Sequence, residues 1–155
     1  MDLTGRGRLL GIDHGEKVIG LAICDANWTA ARPLELVVRR TRAQDFAHIN
    51  AVIVQQEIAA IVVGLPELPP DHSVTGQAST VRRWVTRLAA AVSVPVYLWD
   101  ERYSSFEAEQ LAQEIGLERA GRIDDRAAAL ILQSFIDAHP AGNPLPAPVK
   151  AHQPS

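Results

Sequence analysis

Three carboxylates stand where the chain leaves or enters a regular element. Asp13 closes the apolar run Leu9-Leu10-Gly11-Ile12, Glu101 follows the apolar run 94–99 within Asp100-Glu101-Arg102, and Asp124 opens a helical stretch near the C-terminus. A carboxylate at such a place serves a turn, a cap or a cation, because a buried charge without a partner is costly. Adjacent strand ends of one sheet can bring such groups within a few ångströms, and a helix packed over that edge can add another, so Asp13 and Glu101 are expected on neighbouring strand ends. Like charges that close repel, and divalent cations between them relieve the repulsion. Oxygen-only donors suit the hard ions Mg²⁺ or Mn²⁺. Two such ions about 3.5–4 Å apart activate a water and stabilise the leaving oxygen of a phosphodiester. Each carboxylate also has a simpler role: Asp13 can form the turn, Glu101 can pair with Arg102, and Asp124 can cap its helix. Asp125 is an adjacent competitor for the role of Asp124.

The elements that must position them follow from periodicity. Residues 8–14 and 18–24 are apolar runs around Gly15 and read as two strands joined by a tight turn. Residues 34–38, after Pro33, make a third strand and an antiparallel meander. Helical spacing runs over 43–57, and Ala59-Ala60-Ile61-Val62-Val63-Gly64 is the wholly apolar pattern of a parallel strand covered on both faces. A loop with Pro66, Pro69 and Pro70 leads to a helix over 75–92, a fifth strand over 94–99, and a helix that starts at Ser104 or Ser105 and runs to Gly116. A last helix covers about 124–139. The order predicts an α/β fold: a mixed five-stranded sheet with helices on both faces.

Length and composition bound the rest. The 155 residues suffice for one well-buried core, so residues 8–139 are expected to form a single domain, with a mobile leader over 1–7 and a disordered Pro/Ala-rich tail over 140–155. Hydrophobic residues at 47% and charged residues at 21% exclude a disordered or fibrous chain. No apolar run approaches the roughly 18 residues of a membrane span, and no basic-then-apolar leader opens the chain, so a cytoplasmic protein is expected. A single cysteine, Cys24, excludes an intrachain disulfide and reads as a small buried hydrophobe. The net charge of −3 argues against a general polyanion binder, although carboxylates gathered at a metal site lower the average without preventing local phosphate contacts.

Gly11-Ile12-Asp13-His14-Gly15 with Gly20-Leu21-Ala22, then Ile61-Val62-Val63-Gly64-Leu65-Pro66, then Asp100-Glu101-Arg102 with Glu107-Ala108, and finally Asp124 with Ala127-Ala128 and Ile131-Leu132-Gln133 form an ordered set. Over residues 8–138 this set resembles the YqgF family, also called RuvX, whose members are described as pre-16S rRNA nucleases and were earlier labelled Holliday-junction resolvases. The resemblance implies an RNase H-like fold related to RuvC-type resolvases and metal-dependent cleavage of nucleic acid. It matches Asp13 to the family's first-strand carboxylate, Glu101 to the glutamate of its Asp-Glu-Arg motif, and Asp124 to the aspartate of its last helix. All three are thereby expected as catalytic and metal-holding residues.

The implied activity is trimming of the 5′ end of pre-16S rRNA in ribosome biogenesis. Resolution of four-way DNA junctions is the alternative, and nothing in the sequence separates RNA from structured DNA. A third reading, a nucleic-acid-binding protein with little catalysis, follows from the loop at 67–72, where Glu-Leu-Pro-Pro-Asp-His replaces the family's Asn-Met-Asp-Gly type of sequence. Arg102 is the expected phosphate contact, its planar and permanent charge being the reason, with an ion pair to Asp100 or Glu101 as the alternative. Lys17, in the turn after Asp13, is a further candidate, as are Arg82 and Arg83, whose simpler reading is a solvated helix face. The cluster Arg39, Arg40 and Arg42 reads as a solvated strand end. His14 receives no catalytic role, although an imidazole beside a metal site can exchange protons near neutral pH.

Overall fold

The computed structural model of the chain describes residues 6–65, 76–100, 123–140 and 145–150. The chain enters as three strands, β1 (Arg8–His14), β2 (Val18–Cys24) and β3 (Ala31–Val38), then passes through helix α1 (Arg42–Gln55), strand β4 (Ile58–Leu65), helix α2 (Gly76–Ala91), strand β5 (Val96–Asp100) and helix α3 (Ile123–Ala138). The five strands form one sheet in the order β3-β2-β1-β4-β5. Pairing is antiparallel across β1–β2 and β2–β3 and parallel across β1–β4 and β4–β5. β1 and β4 are central because their side chains are apolar on both faces. Leu9, Leu10, Ile12, Ala60, Ile61, Val62 and Val63 are all fully buried.

Helices cover both faces. Leu10, Ile12, Ile61 and Val63 pack with Phe46, Ile49 and Val52 of α1 and with Trp84, Val85 and Leu88 of α2. On the other face Leu9, Ala60, Val62 and Tyr97 pack with Ala128, Ile131, Leu132 and Phe135 of α3. β1, β2 and β5, and β4 from Ala60 onward, therefore divide their side chains by parity between two cores, as strand alternation requires.

Several boundaries differ from the sequence reading for physical reasons. β3 begins at Ala31 and so contains Pro33. An edge strand tolerates proline, and the register shifts here, with Leu21 opposite Glu35 and Ala22 opposite Pro33. α1 begins at Arg42 because Thr41 and Gln44 form a reciprocal capping box, with the Thr41 Oγ1 accepting from the Gln44 N–H at 3.1 Å. The helix predicted from Ser104 or Ser105 to Gly116 lies outside the described residues.

Residues 6 and 7 and residues 145–150 hold structure where composition suggested none. Arg6 places its guanidinium 4.2 Å over the Trp28 ring and donates to the His139 carbonyl at 2.9 Å. Trp28 donates its indole N–H to the Gly7 carbonyl at 2.7 Å. Residues 145–150, assigned by composition to a disordered tail, lie along β5: the Val149 N–H donates to the Val96 carbonyl at 2.7 Å. Leu145 packs with the α3 core and Val149 with the α1/α2 core, so this segment crosses the edge of β5. Two apolar residues among prolines are enough to anchor it, and the Val149 bond uses a backbone acceptor on an edge strand.

Candidate active site

The carboxyl ends of β1, β4 and β5 lie at one edge of the sheet, the place where ligands bind in open α/β sheets. Asp13 is the penultimate residue of β1 and is half-buried. It shares parity with Leu9 and Gly11, so it stands on the α3 face. The pairing of Ile12 with Val63 sets Gly64 beside Asp13, and Gly64 in turn opposes Trp99. Gly64 also has the α3-face parity of Ala60 and Val62. β4 therefore places no side chain at that row, between Asp13 on β1 and the end of β5, and Gly64 itself is buried.

This corrects one expectation of the sequence reading, that Asp13 and Glu101 stand on neighbouring strand ends. β4 lies between β1 and β5, which puts the two outer strands two spacings, roughly 9–10 Å, apart. Trp99 forms the wall at this end of β5, its indole N–H donating to the Ser134 hydroxyl at 2.9 Å and its ring edge-on to Phe135. β5 ends at Asp100, and Glu101 and Arg102 lie outside the described residues.

α3 runs antiparallel to β1. Its C-terminal end meets Arg6 through the His139 carbonyl, while Gly11 meets Ala128 and Leu132. From Gly11 to Asp13 the strand rises about 6.6 Å, equivalent to about four helical residues, which brings the first turn of α3 to the level of Asp13. Asp124 and Asp125 belong to that turn; the described side chains of the helix begin at Arg126.

The expected basic contacts fall at two places. Lys17 is exposed in the turn beyond β1, where Gly15 donates its N–H to the Val18 carbonyl at 3.0 Å. Arg82 and Arg83 are exposed on α2. Among the described residues no group of three His, Cys, Asp or Glu side chains is placed to hold a metal ion. Cys24 is buried, and burial pushes its thiol up to about 11, which makes it a packing residue.

The opposite side of the same sheet edge holds an arrangement the sequence did not disclose. His14 follows Asp13 and so turns to the α1/α2 face, where it is only 8% exposed and its ring lies 4.7 Å from that of Trp84. Burial, with the nearby Arg39 charge second, lowers its pKa to about 4, so the imidazole is neutral at neutral pH. Neither His14 Nε2 nor Trp84 Nε1 has a hydrogen-bond partner among the described residues. Arg39 is not a solvated strand end: it is half-buried, and its Nη1 donates to the carbonyls of Gly15 at 3.2 Å and Glu16 at 3.1 Å. Arg40 instead pairs with the buried Asp45 at 3.6 Å. His14, Glu16, Arg39, Thr80 and Val81 line an open pocket of about 570 Å³.

A family model described as RuvX, Holliday junction resolvase, matches residues 7–138. A protein of Anaeromyxobacter sp. (strain Fw109-5) named "Putative pre-16S rRNA nuclease" is 45% identical over 137 residues, covering 86% of this chain and 99% of that one. One of the same name from Sphingopyxis alaskensis is 41% identical over 139 residues, covering 88% of this chain and 90% of that one. Among solved structures, T. thermophilus RuvC in complex with a Holliday junction substrate superposes with a TM-score of 0.59 at 21% identity, covering 86% of this chain and 95% of that one. Thermus thermophilus RuvC alone gives 0.54 at 20% identity, covering 84% and 95%. The fold is thus RNase H-like, that of the RuvC resolvases.

Proposed function

The chain belongs to the RuvX family, and from that membership we propose that it is a divalent-metal-dependent nuclease that processes the 5′ end of pre-16S rRNA in ribosome biogenesis. The observation that carries the reading is the sheet edge itself: Asp13 stands beside Gly64 at the carboxyl ends of β1 and β4, level with the first turn of α3. Asp13, Glu101 and Asp124 are the residues that would hold the metal. Their donor set, carboxylate oxygens only, fits Mg²⁺ or Mn²⁺. When bound, such an ion supplies an activated water and offsets charge on the leaving oxygen of a phosphodiester.

The chain's own part is positioning. β1 fixes the Asp13 backbone, through the pairing of Asp13 with Gly20 of β2 and of the preceding Ile12 with Val63 of β4, and Gly64 adds no side chain to the adjacent row. Trp99 and Phe135 wall one side against water, which strengthens the electrostatics of the site. Arg102, Lys17, Arg82 and Arg83 serve as phosphate contacts around the acidic centre. Cleavage consumes one water, whose oxygen bonds to phosphorus as the bond from phosphorus to one sugar oxygen breaks. On this reading the place of action is the cytoplasm, the compartment of ribosome biogenesis in bacteria such as the relatives above.

The family description favours a second substrate, the four-way DNA junction. Incubating purified protein with a pre-16S rRNA fragment and with four-way DNA junctions, each with Mg²⁺, Mn²⁺ or EDTA, separates the two. Metal-dependent shortening of the RNA with intact junctions is the expected outcome. Junction cleavage with intact RNA transfers the activity to DNA, and inert substrates under every condition remove the nuclease reading.

A further inference from the structure

We propose that Arg39 binds a phosphate of the substrate one or two nucleotides from the cut, so that the strand passes over the turn between β1 and β2 as it leaves the metal site. The proposal rests on the nuclease reading above and adds to it a contact residue and a path. β3 runs in the direction of β1, because each pairs antiparallel with β2, so its carboxyl end lies at the sheet edge that carries Asp13. Arg39 is the first residue beyond β3, and its backbone N–H donates to the Lys17 carbonyl at 2.9 Å. Its guanidinium reaches back to the turn after Asp13, where Nη1 donates to the carbonyls of Gly15 and Glu16. Gly15 is two residues beyond Asp13, about 6.6 Å along an extended chain. A nucleic-acid strand spaces its phosphates by a similar amount. Asp13 stands on the α3 face and Arg39 lines the pocket on the α1/α2 face, so a strand that meets both crosses the end of β1 between them.

The electrostatics favour one anion there. Arg39 is half-buried, yet no carboxylate forms an ion pair with it among the described residues, whereas its neighbour Arg40 is paired with the buried Asp45. A partly desolvated charge of this kind gains from an anionic partner. The two carbonyls occupy Nη1 and fix the plane of the guanidinium, which leaves Nε and Nη2 as a fork that a phosphate accepts in bidentate fashion. Because the fork is already oriented, little side-chain freedom is lost on binding. The exposed Glu16 carboxylate lines the same pocket and repels further anions, so the site takes one phosphate rather than a run of them. The buried ring of His14 and the side chain of Val81 serve as walls of the pocket, and the contact is made by Arg39 alone.

The test is equilibrium binding of single-stranded RNA of a pre-16S sequence, in the Asp13→Asn background so that no strand is cut, after the cut in that sequence has been mapped with parental protein and Mn²⁺. Adding Arg39→Gln is expected to weaken binding roughly tenfold, the worth of a charge-assisted contact. The logarithmic salt dependence should become shallower by about 0.7, the share of one phosphate on a single strand. Arg39→Lys should keep the slope and lose part of the affinity, since it keeps the charge without the fork. 2′-O-methyl oligonucleotides carrying one uncharged methylphosphonate at successive positions locate the contact. One sensitive position within two nucleotides of the cut should become insensitive in Arg39→Gln, while the others keep their effects. A residue that merely ties down the turn would lower the melting temperature or the affinity without erasing a single position. An unchanged salt slope, a methylphosphonate profile that Arg39→Gln leaves intact or scales evenly, or an erased position farther from the cut overturns the proposal. Failure to bind any strand, or to cut the unmodified RNA, overturns the nuclease reading beneath it instead.

Discussion

Gly11 of β1 and Leu132 of α3 approach so closely that a Cβ built on Gly11 would lie 2.8 Å from the Leu132 Cβ and 3.1 Å from the Ala128 carbonyl oxygen. The glycine is what lets α3 sit down on the central strand, and that seating sets the height of the helix's first turn against Asp13. Gly11→Ala forces the helix outward, because the opposing atoms are a Cβ, fixed by its own backbone, and a backbone carbonyl, and neither can swing aside. Overpacking of this kind costs about 1–3 kcal/mol. A lower melting temperature is expected, together with a loss of cleavage that persists at temperatures where the variant is fully folded. A folded variant with parental activity would separate the α3 seating from the site.

Phe135 anchors the same helix. Fully buried, it meets Trp28, Tyr97, Trp99 and His139 with ring centroids 4.3–6.0 Å away. Phe135→Ala removes the centre of that cluster, at a cost of about 3–5 kcal/mol. Urea unfolding should show the midpoint falling by that equivalent. A change under about 1 kcal/mol would mean that the cluster closes over the gap.

Asp25 gives the pH dependence a sign. Its carboxylate accepts from the Thr29 N–H at 2.8 Å, the Thr29 hydroxyl at 3.0 Å, the Asn27 N–H at 3.2 Å and the Ala30 N–H at 3.3 Å. The Thr29 backbone bond is the largest cause of a pKa lowered from 3.8 to about 2. A depressed folded pKa stabilises above the unfolded value and is lost as pH falls through the folded one. Stability should therefore decline as pH drops from about 4 towards 2, and Asp25→Ala should flatten that part of the curve. Parallel acid titrations of parent and variant that keep the same slope there would exclude Asp25 as its source.

Much of this architecture was legible because burial leaves a pattern. β1 and β4 are covered on both faces and read as unbroken apolar runs, while α1, α2 and α3 show one apolar stripe each. What the pattern could not carry was position across the sheet. Nothing local to Asp13 or Glu101 says that β4 comes between their strands, because strand order is fixed by the crossover through α1. The pocket was hidden for a related reason: His14, Arg39 and Thr80 are far apart in the chain and gather only when the turn after β1 meets the end of β3 and the start of α2. Leu145 and Val149 were submerged in proline-rich composition. The motif residues Glu101 and Arg102 lie outside the described residues, and their roles rest on the family pattern.

Arg82 and Arg83 are exposed on α2, so replacing both by alanine should leave the melting temperature unchanged. If they touch the substrate, the logarithmic salt dependence of RNA binding should become shallower by roughly one unit for each phosphate that is no longer neutralised. An unchanged slope assigns the pair to a solvated helix face.

The central claim is that Asp13 holds the metal on which phosphodiester cleavage depends. It is tested most directly by the rate at which Asp13→Asn cleaves a pre-16S rRNA fragment in Mg²⁺ or Mn²⁺, beside parental protein whose melt without metal is matched. The amide keeps the shape of the side chain and removes its charge, so cleavage is expected to fall by about a hundredfold or more with the melt equal or slightly higher, carboxylate repulsion having been relieved. Cleavage at the parental rate by a folded Asp13→Asn protein would contradict it and leave Asp13 as a residue of the turn.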